Sequence, residues 1–155
     1  MKGIRGVLAQ RNLREVQGIV EKALIEYVDE RSEDPAMKYA KDILLAGGKR
    51  FRPVLGCLAY EAAGATLDDK MLRTALSAEI IHTATLVHDD IYDQAKLRRG
   101  RPTLHSQHGI AHGIISGDYL FTLGYWLGAE QGPEVIKVLA ETCIGLANGE
   151  LLQFD

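Results

Sequence analysis

Asp89, Asp90 and Asp93 lie within the short run Asp89-Asp90-Ile91-Tyr92-Asp93. On a helix, Asp89 and Asp93 are one turn apart and share a face, with Asp90 beside them. Three like charges repel there and cost helix stability unless something neutralises them. Hard divalent cations do so through oxygen ligands, and Mg²⁺ characteristically takes one or two carboxylates together with substrate phosphates. A solvated acidic helix end is the bland alternative. Cations stand on both sides of this run. Lys96, Arg98, Arg99 and Arg101 follow it, and Gly47-Gly48-Lys49-Arg50-Phe51-Arg52-Pro53 precedes it. Glycines let backbone N–H groups approach an anion, while Lys and Arg add charge and forked hydrogen bonds. Two cationic clusters around three carboxylates suit two phosphate groups, one held directly and one through a metal. Taken singly, Lys49 and Arg52 also read as a basic turn. His82 lies two helical turns before Asp89, on the stripe shared by Glu79 and Leu86. It is a candidate for the same site, or a histidine with a structural role.

Two other groupings offer different chemistry. His105, His108 and His112 are spaced three and four apart, so one helix face could carry all three toward zinc. No Cys or Glu completes that set. His88-Asp89 resembles the doublet of metal-dependent phosphohydrolases of the His-Asp type, a reading that leaves both cationic clusters unexplained.

Helices must position these residues, because the apolar periodicity is helical nearly throughout. Leu13, Val16, Ile19, Val20, Ala23, Leu24, Tyr27 and Val28 follow one helical face. Glu33-Asp34-Pro35 breaks the pattern, and a second helix is predicted from about Ala36 to Ala46, stopped by Gly47-Gly48. A third runs from about Pro53 to Ala63. Leu67-Asp68-Asp69 opens a fourth, which continues to about Tyr92. Arg98 to Pro102 reads as a basic loop, followed by helices from about Leu104 to Glu130 and from Pro133 to Phe154. Tyr119 to Trp126 is apolar almost all round, which predicts a central helix covered on all sides or by a partner subunit. No strand pattern of convincing length, repeat or linker appears. The class is all-α, a bundle of long helices in one domain over residues 1–155.

Composition narrows the function classes. The chain has 155 residues, 18 basic and 21 acidic side chains, and a net charge of −3. That balance argues against a nucleic-acid partner. A hydrophobic share of 46% is that of a globular chain, not a disordered one. Cys57 and Cys143 lie in apolar helical contexts and read as buried free thiols of a reducing compartment. No signal-peptide pattern and no membrane-length apolar run is seen, so a cytoplasmic protein is expected.

Gly47-Gly48-Lys49-Arg50-Phe51-Arg52-Pro53, the stretch from Glu79 to Thr103, and Ser116-Gly117-Asp118 together resemble the trans-isoprenyl diphosphate synthases, also called polyprenyl synthetases. Order and spacing fit along nearly the whole chain. The resemblance implies the isoprenoid synthase fold and a prenyltransferase that condenses isopentenyl diphosphate with an allylic prenyl diphosphate. It places the first aspartate-rich motif on Asp89, Asp90 and Asp93, with Asp89 and Asp93 as Mg²⁺ ligands that hold the allylic diphosphate. It places the isopentenyl diphosphate site on Lys49, Arg52 and His82, with Arg99 as a further contact, and an allylic diphosphate contact on Arg98. Going down the helix from Asp89, the inward positions are Thr85, Ala84, Ile81 and Ala78, none aromatic. In the family, aromatic residues there keep products short, so small ones imply products of geranylgeranyl length or longer. Gly149-Glu150-Leu151-Leu152-Gln153 resembles the later helix of longer-chain members.

The resemblance also implies about twice this length for one synthase. The family's second aspartate-rich motif and its Lys-Thr segment have no counterpart before Asp155. Three explanations stand: a fragment of a full synthase, a half-protein completed by a homo-oligomer or a partner chain, and a degenerate member that binds diphosphates without catalysis. A homo-oligomer or a partner chain supplying the missing half is expected, with a non-catalytic subunit of a heteromeric synthase as the alternative. Exposed apolar faces on the last two helices are expected with it.

Overall fold

Local chemistry accounts for where most helices begin. A computed structural model describes residues 12–154. Helix α1 (Leu13–Glu30) starts at a capping box, in which Asn12 Oδ1 accepts from Glu15 N and Glu15 Oε2 accepts from Asn12 N. Helix α2 (Met37–Leu44) follows the turn at Pro35 and ends before Gly47, whose φ is 79°. Helix α3 (Phe51–Ala62) begins two residues earlier than predicted. Pro53 is tolerated inside its first turn because the N–H it lacks would have no partner there. Helix α4 (Asp69–Tyr92) is capped by Asp68, whose carboxylate accepts from Met71 N at 2.8 Å.

Two departures follow. The basic loop is a minimal antiparallel ribbon, with β1 (Leu97–Arg98) paired to β2 (Arg101–Pro102). Its two turn residues, Arg99 and Gly100, have φ of 52° and 77°, the left-handed pair that a tight hairpin requires. The predicted helix from Leu104 to Glu130 is divided by Gly109, at φ 93°, into α5 (Leu104–His108) and α6 (Ile110–Ala129). Helix α7 is Pro133–Leu151, with proline in its first turn.

Helix α4 is the axis of the bundle and packs on α1, α2, α3, α5 and α6. The core joins Val16, Val20 and Leu24 of α1 to Leu76, Ile80 and Val87 of α4 and Leu120, Leu123 and Leu127 of α6. Of the two kinds of cover expected for Tyr119 to Trp126, this chain by itself does not supply the all-round one. Leu120, Leu123 and Leu127 are buried, but Trp126 is 61% exposed. The last two helices do present open apolar faces: Ile115 on α6 and Val138, Ile144 and Leu151 on α7 are all exposed. No side chain of α7 is buried. Among the described residues, no helix is long and apolar enough to cross a membrane. Part of the N-terminal stretch read for a signal peptide lies outside the described residues.

Glycine lets α4 and α6 approach closely. A Cβ at Gly124 would meet Ile81 Cγ1 at 2.5 Å and the Ser77 carbonyl at 3.1 Å. The Ser77 hydroxyl donates to the Gly124 carbonyl at 2.8 Å in the same contact. In a helix, Gly→Ala gains about 1 kcal/mol of propensity, whereas overpacking costs about 1–3 kcal/mol. Both Ile81 and Ser77 are buried and have little room to move. Overpacking should win, so Gly124→Ala is expected to lower stability by up to about 2 kcal/mol. A urea titration reads this directly, and a stabilised variant would contradict it.

Candidate functional site

The glycine turn, the ribbon and α4 meet at one cavity of about 850 Å³. Lys49 and Arg52 reach it from the turn and from α3, His82 and Asp90 from α4, and Arg98 and Arg99 from the ribbon. The left-handed turn at Arg99 sends its guanidinium back across the cavity to donate to the Gly47 carbonyl. Thr103 locks the ribbon from behind, its hydroxyl donating to the Ala95 carbonyl at 2.7 Å and its N–H to the Lys96 carbonyl at 3.0 Å.

A second cavity, of about 760 Å³, lies between α4, α6 and α7. Ala78, Ile81 and Thr85 line its α4 wall, Phe121 its α6 wall, and Leu139, Leu146 and Leu151 its α7 wall. Asp89 stands on its lining with Tyr92 and Glu150. Arg52 and His82 border both cavities. One space is thus cationic, the other mainly apolar, and the two share a boundary.

Neighbouring aspartates point different ways. Asp90 is 5% exposed and accepts from Arg98 Nε at 2.8 Å. It faces the cationic cavity, and Asp89 faces the apolar one. Asp93, the C-cap of α4, is exposed and lines neither cavity. Ala84 belongs to the core, fully buried and off the cavity lining, so only three of the four small positions read as a pocket floor face it.

Among the described residues, no three His, Cys, Asp or Glu side chains gather closely enough to hold an ion. Asp89 and Asp93, one turn apart at the end of α4, form no cage of their own, and such a pair suits Mg²⁺, which keeps waters and draws further oxygens from substrate phosphates. They do not fit structural zinc, which needs a closed set of ligands. The histidine face read as a zinc candidate is not built. His108 and His112 pack on the Tyr39 ring at 5.1 and 4.8 Å, while His105 Nδ1 lies 3.2 Å from the Thr103 hydroxyl. His88 turns onto α6, with Nε2 3.2 Å from the Ile114 carbonyl oxygen and its ring 5.7 Å from that of Phe121. Cys57 is a buried free thiol whose pKa burial pushes up to about 11, but Cys143 is only half-buried and borders the apolar cavity.

Arg50 and its partners were not visible as a unit. The Arg50 guanidinium is held by Glu21 and Glu79 beneath the cationic cavity. Burial opposes its charge, and the bonds to the two glutamates overcome that and raise its pKa. Only its place inside the Gly-Gly-Lys-Arg run hinted at a role.

His82 sits below its ordinary pKa. Burial is the main cause, the Arg52 charge adds to it and Arg99 contributes, while Glu79 and Asp89 pull the other way. A lowered folded value means that the unfolded chain binds more protons between that value and about 6.5. Stability therefore falls as pH drops through that window. Acidification from about pH 8 to about pH 5 should destabilise the wild-type chain more than His82→Gln, by about 1.4 kcal/mol per unit of pKa lowering. Parallel pH–stability curves for the two would refute this.

The chain is similar to known proteins over most of its length. The profile of the polyprenyl synthetase family matches residues 34–155. Heptaprenyl diphosphate synthase component 2 from Geobacillus stearothermophilus is 42% identical over 120 residues, covering 77% of this chain and 37% of that protein. The geranylgeranyl diphosphate synthase of Methanosarcina mazei is 33% identical over 142 residues, covering 88% of this chain and 44% of that one. The solved geranylgeranyl pyrophosphate synthetase of Geoglobus acetivorans superposes with a TM-score of 0.82 at 31% identity, covering 90% of this chain and 47% of that one. The chain spans less than half the length of these relatives, but the match runs through the glycine turn, the aspartate run and the ribbon, and on that ground the chain belongs to the polyprenyl synthetase family.

Proposed function

We propose that this chain forms one wall of a trans-prenyltransferase site, which condenses isopentenyl diphosphate with an allylic diphosphate into products of geranylgeranyl length or longer. One observation carries the reading: a cationic cavity and an apolar one meet at Arg52 and His82, with Asp89 at the edge of the apolar space. Lys49, Arg52 and Arg99 would take the diphosphate of isopentenyl diphosphate by charge and forked hydrogen bonds. His82, held neutral, would donate a hydrogen bond without adding charge. Asp89 and Asp93 would hold Mg²⁺ at the allylic diphosphate. Mg²⁺ bound there would stabilise the charge that develops on the departing diphosphate.

The apolar cavity would receive the prenyl chain. Its lining keeps water from the allylic cation, so that the isopentenyl double bond captures it. Ala78, Ile81 and Thr85 leave the α4 wall low, which supports long products. Asp90 and Arg98 are bound to each other, so their part would be to fix the ribbon and place Arg99.

Open apolar faces on α6 and α7 support a second copy or a partner chain completing the site. The word "component" in the name of the Geobacillus relative supports the same reading. The His-Asp phosphohydrolase alternative loses ground because His88 is bound to α6.

The test is elongation. The chain is incubated with Mg²⁺, an allylic diphosphate and labelled isopentenyl diphosphate, with sedimentation to report its assembly. Chelator-sensitive prenyl products of geranylgeranyl length or longer are expected. Release of phosphate with no dependence on isopentenyl diphosphate would refute the reading.

A further inference from the structure

Tyr92 closes α4, three residues after Asp89, in a position that motif spacing leaves unassigned. Its hydroxyl donates to Asp89 Oδ1 at 2.5 Å, the length of a charge-assisted O–H···O⁻ bond. Glu150 of α7 faces the same hydroxyl from the other side of the cavity mouth. A phenol has one proton, so only one of the two carboxylates can receive it, and the short bond is the one to Asp89. The Phe154 ring meets Tyr92 edge-on at 5.6 Å and 84°, which fixes the plane of the phenol.

We propose that Tyr92 is a positioning residue for the cation-binding carboxylate, its hydroxyl holding Asp89 Oδ1 so that the second oxygen is presented to the ion. The inference rests on the reading of Asp89 as a Mg²⁺ ligand and adds what orients that ligand. Asp89 is only partly buried, and no other side chain is hydrogen-bonded to it among the described residues. Without the phenol its carboxylate would rotate freely and lose that freedom when an ion binds. Hydrogen-bond partners of ligating carboxylates are typically worth about 10–100-fold in metal affinity.

Tyr92→Phe keeps the ring and its contact with Phe154 and removes only the hydroxyl. Mn²⁺ binding by the full chain, read from the loss of the free-ion paramagnetic resonance signal, is expected to weaken about tenfold. The melting temperature should not move. Phe154→Leu removes the ring contact and leaves the hydroxyl, and should leave Mn²⁺ affinity at the wild-type value. Equal Mn²⁺ affinity in the wild-type chain and Tyr92→Phe would overturn the proposal while leaving Asp89 as the ligand. So would a loss in Phe154→Leu as large as that in Tyr92→Phe, since helix docking would then be the cause. A wild-type chain that binds no Mn²⁺ would overturn the metal reading of Asp89 and this proposal with it.

Discussion

Arg50→Met should lower the stability of the chain by about 3–5 kcal/mol, the usual cost of breaking a buried ion pair from one side. The Arg50 side chain is 3% exposed and that of Glu79 9%. Nη1 donates to Glu79 Oε1 at 3.0 Å, Nε to Glu21 Oε2 at 2.7 Å, and Nη2 to both Glu21 Oε1 at 3.1 Å and the Leu44 carbonyl at 2.7 Å. Methionine fills much of the volume and satisfies none of these acceptors. Glu21 is 35% exposed and can turn to water, but Glu79 cannot. The uncompensated Glu79 charge therefore dominates the loss. Arg50 is also the left-handed N-cap of α3, at φ 47°, a conformation that a non-glycine residue holds only when its surroundings enforce it. Arg50→Lys should recover little, because one ammonium cannot replace a planar fork with several fixed donors. Adding Glu79→Leu to Arg50→Met should recover a large part, since both members of the pair then become apolar. Denaturant titration of the three variants checks the series. A loss below about 1 kcal/mol for Arg50→Met would mean that the network contributes little.

Helix α1 was legible from its apolar stripe between Leu13 and Val28, and α4 from the Asp68-Asp69 start, where Asp68 supplies the cap. The boundary at Gly109 was not. Its left-handed φ serves the turn from α5 into α6, but a lone glycine after His105-Ser106-Gln107-His108, with no proline beside it, does not announce a break. The ribbon escaped for a different reason: two paired residues per strand leave no alternation to detect. Charge identity marked Lys49, Arg52 and Asp89 in the sequence, but not their directions. Asp89 and Asp90 are adjacent, and a residue step of about 100° on a helix sends them to different cavities. Helical spacing put Asp89 and Asp93 on one face with Asp90 beside them, without showing that Asp90 turns to the other cavity, and Ala84 was read as an inward position beside the pocket. The exposure of Trp126 shows a related limit. An all-round apolar helix announces that it needs cover without saying whether this chain provides it.

Asp89→Asn is expected to slow elongation by about 10³-fold with little change in stability, and Asp90→Asn to do the reverse. At Asp89 the amide keeps its shape and can still accept from the Tyr92 hydroxyl, so the end of α4 stays intact. The negative charge offered to a divalent cation is lost. Removing one preorganised group that stabilises developing charge costs about 10²–10³ in rate, and a metal contributes several kcal/mol to the same step. The loss should appear in kcat, and added Mg²⁺ should recover part of it by mass action. Asp90 carries its charge against Arg98 at 5% exposure, away from the apolar cavity. Its amide variant weakens that pair and loosens the ribbon that aims Arg99 at the glycine turn. The expected result is a lower melting temperature and a raised KM for isopentenyl diphosphate, with kcat reduced far less than in Asp89→Asn. The two variants share a helix turn and a charge change, so their difference isolates direction as the cause. Equal losses of kcat in both would mean that the two carboxylates act as one site, whatever cavities they face. A rate within about tenfold of wild type for Asp89→Asn would remove Asp89 from the metal-binding role, since no charge-stabilising group of that kind is worth so little.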